Sequence, residues 1–173
     1  MGMFLGGWAL MVAVGMLPGT LFSARLVARA RGSIGGALFL AGYALVWLLL
    51  GVTGFVVLSP LAPLVGWAGA GFVLVATAAY ELSPLKDACL RRCRTPLRFL
   101  LQPALVGGLR HGLDCAGCCA FLMALMLALG LMGIGWAALL ALVVLVQKAA
   151  PFGARSPRVL AGALGAAAVV TWL

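Results

Sequence analysis

The chain has 173 residues, of which 65% are hydrophobic and only 9% are charged, and its net charge is +9. Soluble globular domains carry about 25% charged residues, so the composition excludes that class and predicts an integral membrane protein. We therefore expect an all-α, polytopic membrane bundle of about six transmembrane helices that forms one domain, residues 1–173.

Six apolar stretches follow one another along the chain, and a helix needs about 20 mostly apolar residues to cross a bilayer. The first has arginines after it and no positive charge before it. This is the reverse of a secretory signal, so we expect a retained span with its N-terminus outside. The last has only 15 uncharged residues, 159–173, which leaves five spans as the alternative. The expected spans are residues 3–22, 35–58, 62–80, 112–130, 134–148 and 156–173.

The positive charges are confined to three groups, and the connections between them, around residues 59–63 and 130–135, are neutral. The positive-inside rule predicts this alternation when the basic connections are cytoplasmic and the neutral ones lie outside. We assign the charge to topology in the bacterial inner membrane, with the lipid bilayer and not nucleic acid as the partner. The groups are Arg25, Arg29 and Arg31; Lys86, Arg91, Arg92, Arg94, Arg98 and Arg110; and Lys148, Arg155 and Arg158.

The longest basic connection, residues 81–111, is predicted to contain an amphipathic helix at the cytoplasmic face. Ser83-Pro84 has the residue types preferred at the N-cap and first position of a helix. Leu85, Cys89 and Cys93 would share its apolar side, opposite the arginines. A helix divided in this way lies in the membrane surface.

Prolines, glycines and aromatic residues give further local signals. The prolines of Ser59–Pro63 predict the turn between spans two and three, and Thr95-Pro96 predicts a break after the amphipathic helix. Gly107-Gly108 predicts a flexible start to span four. Four aromatic residues are expected to anchor the spans at the membrane interface: Tyr43, Trp47, Trp67 and Tyr80.

All five cysteines and the only histidine lie within residues 89–119. Cys89 and Cys93 are one helical turn apart, and the histidine and three cysteines that follow share one face of the next helix. Thiolates at CxxxC and CxxCC spacing, with one imidazole, suit zinc, copper(I) or an iron–sulfur cluster. The candidate ligands are Cys89, Cys93, Cys115 and Cys118, with Cys119 or His111 as alternates.

Other interpretations of these residues remain open. Cysteines pack well as small apolar residues, and juxtamembrane cysteines can be lipidated. His111 is interpreted either as a ligand or as an interfacial histidine, and Asp114 as a partner of Arg110 or of His111. The methionines are interpreted as apolar filler in preference to a thioether path for copper(I): Met11, Met16 and Met126.

The strings SPLKDACLRRCRTPLRFL, GLRHGLDCAGCC and WAALLALVVLVQKAAPFG, with MVAVGMLPG near the start, resemble a bacterial family catalogued as domain of unknown function 2182. That family is described as predicted metal-binding integral membrane proteins. The resemblance implies metal binding without a particular metal. The chain departs from the family pattern at Asp114, where an aromatic is usual, and at Gln147, where a glutamate is usual.

These features predict a membrane protein whose cysteine-rich metal or iron–sulfur site at the cytoplasmic face serves metal handling or electron transfer. Motifs of a hydrolase, a P-loop or an attached haem are missing from the sequence, so we do not expect an enzyme acting on its own. A structural or assembly subunit is the alternative function, and a metal transporter is a weaker one. A membrane protein partner or a second copy of the chain is expected.

Overall fold

In the computed structural model, the described residues are 2–58, 60, 67–128, 134–149 and 156–172, and they form helices without any strand. The predicted all-α fold is confirmed for this part of the chain. Its seven α-helices are α1 (Gly2–Gly15), α2 (Leu17–Thr53), α3 (Trp67–Glu81), α4 (Pro84–Cys93), α5 (Ala104–Ala128), α6 (Ile134–Ala149) and α7 (Ser156–Trp172). A π-helical turn, Gly54–Leu58, extends α2, and a 3₁₀ turn, Pro96–Phe99, follows α4.

The beginning of the bundle differs from the prediction. The first expected span is divided at Met16, which separates α1 from α2, and Pro18 lies in the first turn of α2, where its missing N–H is not needed. The first basic group is helical, and the chain reverses just after it at Gly32, with φ 79° and ψ 171°, a conformation that glycine adopts without strain. Residues 17–31 and 33–53 of α2 are therefore two helical segments that pack on each other, and a Cβ added at Gly36 would lie 3.3 Å from the Ala24 carbonyl oxygen.

The predicted boundaries of the amphipathic helix are confirmed. The Ser83 hydroxyl accepts a hydrogen bond of 3.2 Å from the backbone N–H of Lys86, so Ser83 caps α4. Helix α4 ends at Cys93, and the chain turns into the 3₁₀ segment at Pro96. Proline restricts the residue before it, which explains the break.

The buried side of α4 is not the one that the sequence predicts. Leu85 is 62% exposed, whereas Lys86 and Leu90 are buried against α5. Cys89 and Cys93 lie at the edge of this buried side and are half-buried. The prediction fails because Lys86 finds an internal ion-pair partner, which residue types on a helical wheel do not reveal.

Helices α2 and α5 make the most extensive contact in the bundle. A Cβ atom added at Gly42 would collide with the Leu105 carbonyl oxygen, and one added at Gly108 with the Phe39 carbonyl oxygen. Gly107-Gly108 is therefore inside α5, where it permits close packing, and the predicted flexible start of span four is wrong.

Three further pairings complete the bundle: α3 packs on α7, α1 on α6, and α4 on α5. The largest buried cluster combines side chains from α1, α2, α5 and α6. It contains the sulfur atoms of Met11, Met16, Cys115 and Cys119, with Cys93 of α4 packed against it. The fold therefore places most of the chain's sulfur in one core.

Among the described residues, two stretches of helix are long and apolar enough to cross a membrane, Leu17–Val57 and Ala104–Met126. The other apolar helices have 10–17 residues, so a bundle of six spans is not confirmed. Two such helices support a membrane location only weakly, because a core helix of a soluble protein can have the same composition. The turn at Ser59–Pro63, apart from residue 60, and most of the 130–135 connection fall outside the described residues.

Candidate metal centre

Helix α5 presents its three cysteines to the protein interior. Cys115, Cys118 and Cys119 are all buried, as their spacing on one helical face predicts. The Cys118 thiol donates to the Asp114 carbonyl oxygen at 3.0 Å, and the Cys119 thiol to the Cys115 carbonyl oxygen at 3.0 Å. These two sulfurs are thus held against their own helix.

Helix α4 brings Cys93 to this face, where it packs against the buried cluster that contains Cys115 and Cys119. Of the two α4 cysteines in the predicted ligand set, Cys93 is the one that packs on this cluster, and the set itself stays a prediction. Cys89 lies one turn earlier and packs on Gly117 of α5, where an added Cβ would be 2.7 Å from the Cys89 sulfur. All five cysteines are free thiols.

Cys115 is the centre of the arrangement. Its Sγ lies 3.5 Å from Met16 Sδ, 3.2 Å from the Tyr43 hydroxyl and 2.9 Å from Lys148 Nζ. Lys148 Nζ is also 2.9 Å from Met16 Sδ. Cys115 therefore has a thioether, a phenol and an ammonium group around it, in addition to the second thiol of Cys93.

The surroundings of the α4 cysteines favour the protonated thiols. The hydrogen bond with Cys115 lowers the pKa of Cys93, but the hydrogen bond with Cys118 and burial together raise it by more, to about 12. Burial, followed by the nearby carboxylate of Asp114, also raises the pKa of Cys89. A metal ion that binds these sulfurs must displace protons.

His111 lies outside the sulfur cluster, although it shares a helical face with Cys115. Its ring is surrounded by three aromatic rings, with centroids 5.7 Å from Phe39, 5.6 Å from Tyr43 and 4.9 Å from Phe99. The Nδ1 atom is buried and has no hydrogen-bond partner among the described residues. The structure therefore brings His111 to aromatic rings and not to sulfur, and its role as an alternate ligand stays a prediction.

Asp114 has other partners than those predicted. Its carboxylate lies 3.7 Å from Arg98 and 4.0 Å from Arg92, instead of pairing with Arg110 or His111. The arginines come from α4 and the turn after it, which fold back over α5. Asp114 thus links residues 81–111 to α5, the helix that carries three of the cysteines, through ion pairs.

Tyr43 and Trp47 are buried in the core, so the prediction that they anchor the membrane interface is wrong. The Trp47 carbonyl accepts a hydrogen bond of 3.2 Å from Trp8, and Tyr43 contacts Cys115. Tyr80 is partly exposed and stacks on Phe121, with ring centroids 4.2 Å apart. Neighbouring helices use these rings for packing.

A buried polar network next to the cysteines is absent from the sequence-based prediction. Glu81 at the end of α3 forms an ion pair with Lys86, and its other oxygen accepts a hydrogen bond of 3.0 Å from Gln147. Arg94 donates to the Gln147 carbonyl oxygen. The sequence does place Glu81 and Lys86 on either side of the capped start of α4, which could have suggested an ion pair. Their burial could not be predicted, because it depends on Gln147 of α6.

Within the described part of the chain, no three His, Cys, Asp or Glu side chains are arranged to hold a metal ion together. Cys93, Cys115 and Met16 nevertheless form a compact group of two thiols and one thioether. Thiolates and thioethers select soft ions such as copper(I) over hard ones. The described residues thus define an all-helical bundle that holds a group of sulfur atoms of the kind that soft metal ions prefer.

The chain matches a family model over residues 5–171, that of PpoB2, which is described as a copper chaperone. It therefore belongs to the PpoB2 copper chaperone family. This finding overturns the assignment to the family of domain of unknown function 2182. Neither the curated proteins nor the solved structures give a match.

The family description agrees with the coarser part of the predicted function, metal handling, and with copper among the predicted cofactors. It gives no support to an iron–sulfur cluster or to electron transfer.

Proposed function

We propose that this protein binds copper(I) between α4 and α5 and passes it to an acceptor. The observation that carries the proposal is the packing of Cys93 against the buried cluster that holds Cys115, supplemented by Met16 Sδ at 3.5 Å from the Cys115 sulfur. Cys118 is the alternate ligand, since its thiol also reaches Cys93. Sulfur ligands from α4, from α5 and from the junction of α1 and α2 favour copper(I) over Mg²⁺ or Ca²⁺.

Charge balance also favours a monovalent ion. Two thiolates and one copper(I) ion carry a net charge of −1, and the ammonium group of Lys148, 2.9 Å from the Cys115 sulfur, compensates it. A divalent ion with the same two thiolates would be neutral and would leave the half-buried Lys148 without a counter-charge. Unpaired charges are costly in a low-dielectric interior.

The half-buried cysteines of α4 give a route for exchange. Cys89 and Cys93 are more accessible than the three α5 cysteines. Copper(I) can move between proteins when a new sulfur ligand replaces an old one, and Cys89 is placed for the first contact. The proposed acceptor is a membrane protein partner with soft ligands, or a second copy of this chain.

We also propose that the protein spans the bacterial inner membrane with six helices and its N-terminus outside. Many large apolar side chains face outwards, among them Leu48 and Phe72, which are 62% and 70% exposed. An exterior of this kind suits lipid, since soluble proteins limit their exposed apolar patches.

Contacts between the basic groups support the same topology. Arg31 donates to the Leu100 carbonyl oxygen at 2.9 Å, and Arg94 donates to that of Gln147, next to Lys148. The three basic groups therefore meet at one end of the bundle. The positive-inside rule identifies this end, and with it the cysteines, as cytoplasmic.

The proposal is tested by titrating the anaerobically purified protein with copper(I) against a chelator of known affinity. We expect one tightly held ion at the cysteines, and on the order of 100-fold weaker binding in Cys93→Ser and Cys115→Ser, since even residues behind a ligand are worth 10- to 100-fold. Cys119→Ser is the matched control and should stay within a few-fold of the wild type, because Cys119 bonds to its own helix. Unchanged binding in both ligand variants would refute the site.

A further inference from the structure

A second group of sulfur atoms lies deeper in the bundle. Met11 of α1, Met16 between α1 and α2, and Met123 of α5 line one small cavity of about 10 Å³. The remaining lining side chains, from α5 and α6, are aliphatic. All three methionines are buried, with exposures of 2%, 1% and 7%.

This cavity suits a soft ion better than water. Its volume is close to that of one water molecule, but a buried water requires two to four polar partners, and the lining offers none. Thioethers are soft and neutral, and they bind copper(I) without losing a proton. Three methionines, one from α1, one from the junction of α1 and α2, and one from α5, line the same space.

We propose that Met11, Met16 and Met123 form a second copper(I) site, which also accepts silver(I). The site shares Met16 with the cysteine centre, because Met16 Sδ is 3.5 Å from the Cys115 sulfur. Copper(I) can therefore move from the thiols to the thioethers by exchanging one ligand at a time, with no change of oxidation state. The inference rests on the proposed function and extends it from the cysteines into the interior of the bundle.

Lys148 makes this second site the weaker of the two. Its ammonium group is 2.9 Å from Met16 Sδ, and no thiolate belongs to the thioether site to offset the charge of a bound ion. Repulsion between the ammonium group and the ion makes copper(I) fill the cysteines first and the methionines only when copper(I) is in excess, as it is in the titrations below. A weaker affinity at the methionines suits a site that copper(I) occupies transiently during transfer.

The first experiment counts copper(I) ions bound to the full-length protein under anaerobic conditions. The wild type should bind two equivalents, and the double variant Met11→Leu/Met123→Leu should bind one. Met126→Leu is the matched control, since Met126 is buried in the same core but does not line the cavity. It should still bind two equivalents, and leucine for methionine changes the packing volume little.

The second experiment removes the cysteines by replacing all five with serine and titrates the protein with silver(I). One ion should bind with an affinity that is unchanged between pH 6 and 9, because thioethers do not titrate. Adding Met11→Leu should abolish this binding. If the five-serine protein does not fold, the number of copper(I) equivalents bound in the first experiment decides whether the thioether site exists.

The outcomes separate the two proposals. A wild type that binds a single equivalent, lost in Cys115→Ser and unaffected by Met11→Leu/Met123→Leu, overturns the thioether site and leaves the cysteine site standing. A wild type that binds no copper(I) overturns the proposed function itself. Two equivalents that persist in the double methionine variant also reject the thioether site.

Discussion

At the scale of single residues, Lys148 is the group whose role the structure changes most. The positive-inside pattern assigns it to topology, but its Nζ lies 2.9 Å from both the Cys115 and the Met16 sulfurs. We expect Lys148→Leu to weaken copper(I) binding at the cysteines by at least about tenfold, or about 1.4 kcal/mol, because the charge of the dithiolate complex loses its compensation. Lys148→Arg should retain most of the affinity.

The same substitution should act in the opposite direction at the methionines. In the five-serine protein, Lys148→Leu should tighten silver(I) binding, since the repelling charge next to Met16 is gone and no new soft ligand is added. Competition titrations at one pH measure both effects. A loss of affinity at both sites would show that Lys148 only maintains the packing.

The pKa of Cys93 gives a prediction for pH dependence. A thiol with a pKa of about 12 stays protonated at neutral pH, so binding of copper(I) releases its proton, and affinity rises with pH. For an ordinary thiol this rise levels off near pH 8.5, whereas here it should continue through pH 10. Copper(I) competition between pH 6 and 10 measures the slope. A plateau above pH 9 would contradict the proposed ligand.

At the scale of elements, the contact between α2 and α5 fixes the helix that carries the cysteines. A Cβ at Gly108 would collide with the Phe39 backbone, so we expect Gly108→Ala to destabilise the protein by about 1–3 kcal/mol and to lower its copper(I) affinity. Gly162→Ala is the control, because that position in α7 has open space. Thermal unfolding followed by circular dichroism should show a lower midpoint for Gly108→Ala only.

Features that depend on neighbouring residues in the sequence were predictable. The serine cap of α4, its end before Pro96 and the common burial of the α5 cysteines follow from local preferences and helical periodicity. Partners across the bundle were not predictable in this way. Lys86 reaches Glu81 inside the protein, and Asp114 pairs with Arg98, because the turns after α3 and α4 fold back on α5.

The turn inside α2 shows a second limit of sequence patterns. Three arginines predict a connection between two spans, and the chain does reverse after them, but the arginines themselves are helical because arginine is a good helix former, and the turn is confined to Gly32. Charge distribution indicates where a span ends. It does not indicate how short the turn between two helices is.

At the scale of the whole molecule, the copper route has a direction only if the cysteines and the N-terminus lie on opposite sides of the membrane. In intact spheroplasts, a cysteine-free protein carrying Gly2→Cys should react with a membrane-impermeant maleimide. A variant that keeps only Cys89 should react after permeabilisation alone, because the basic end of the bundle is assigned to the cytoplasm.

Cys89 suits this experiment, since it is half-buried and close to the surface that holds the arginines. Denatured samples of both variants control for the reactivity of the thiols, which the raised pKa of Cys89 would otherwise reduce. Labelling of Cys89 in intact spheroplasts would show that the orientation is the opposite of the one proposed. The cysteines would then receive copper from outside the cell, and the methionines behind them would lead it towards the opposite face.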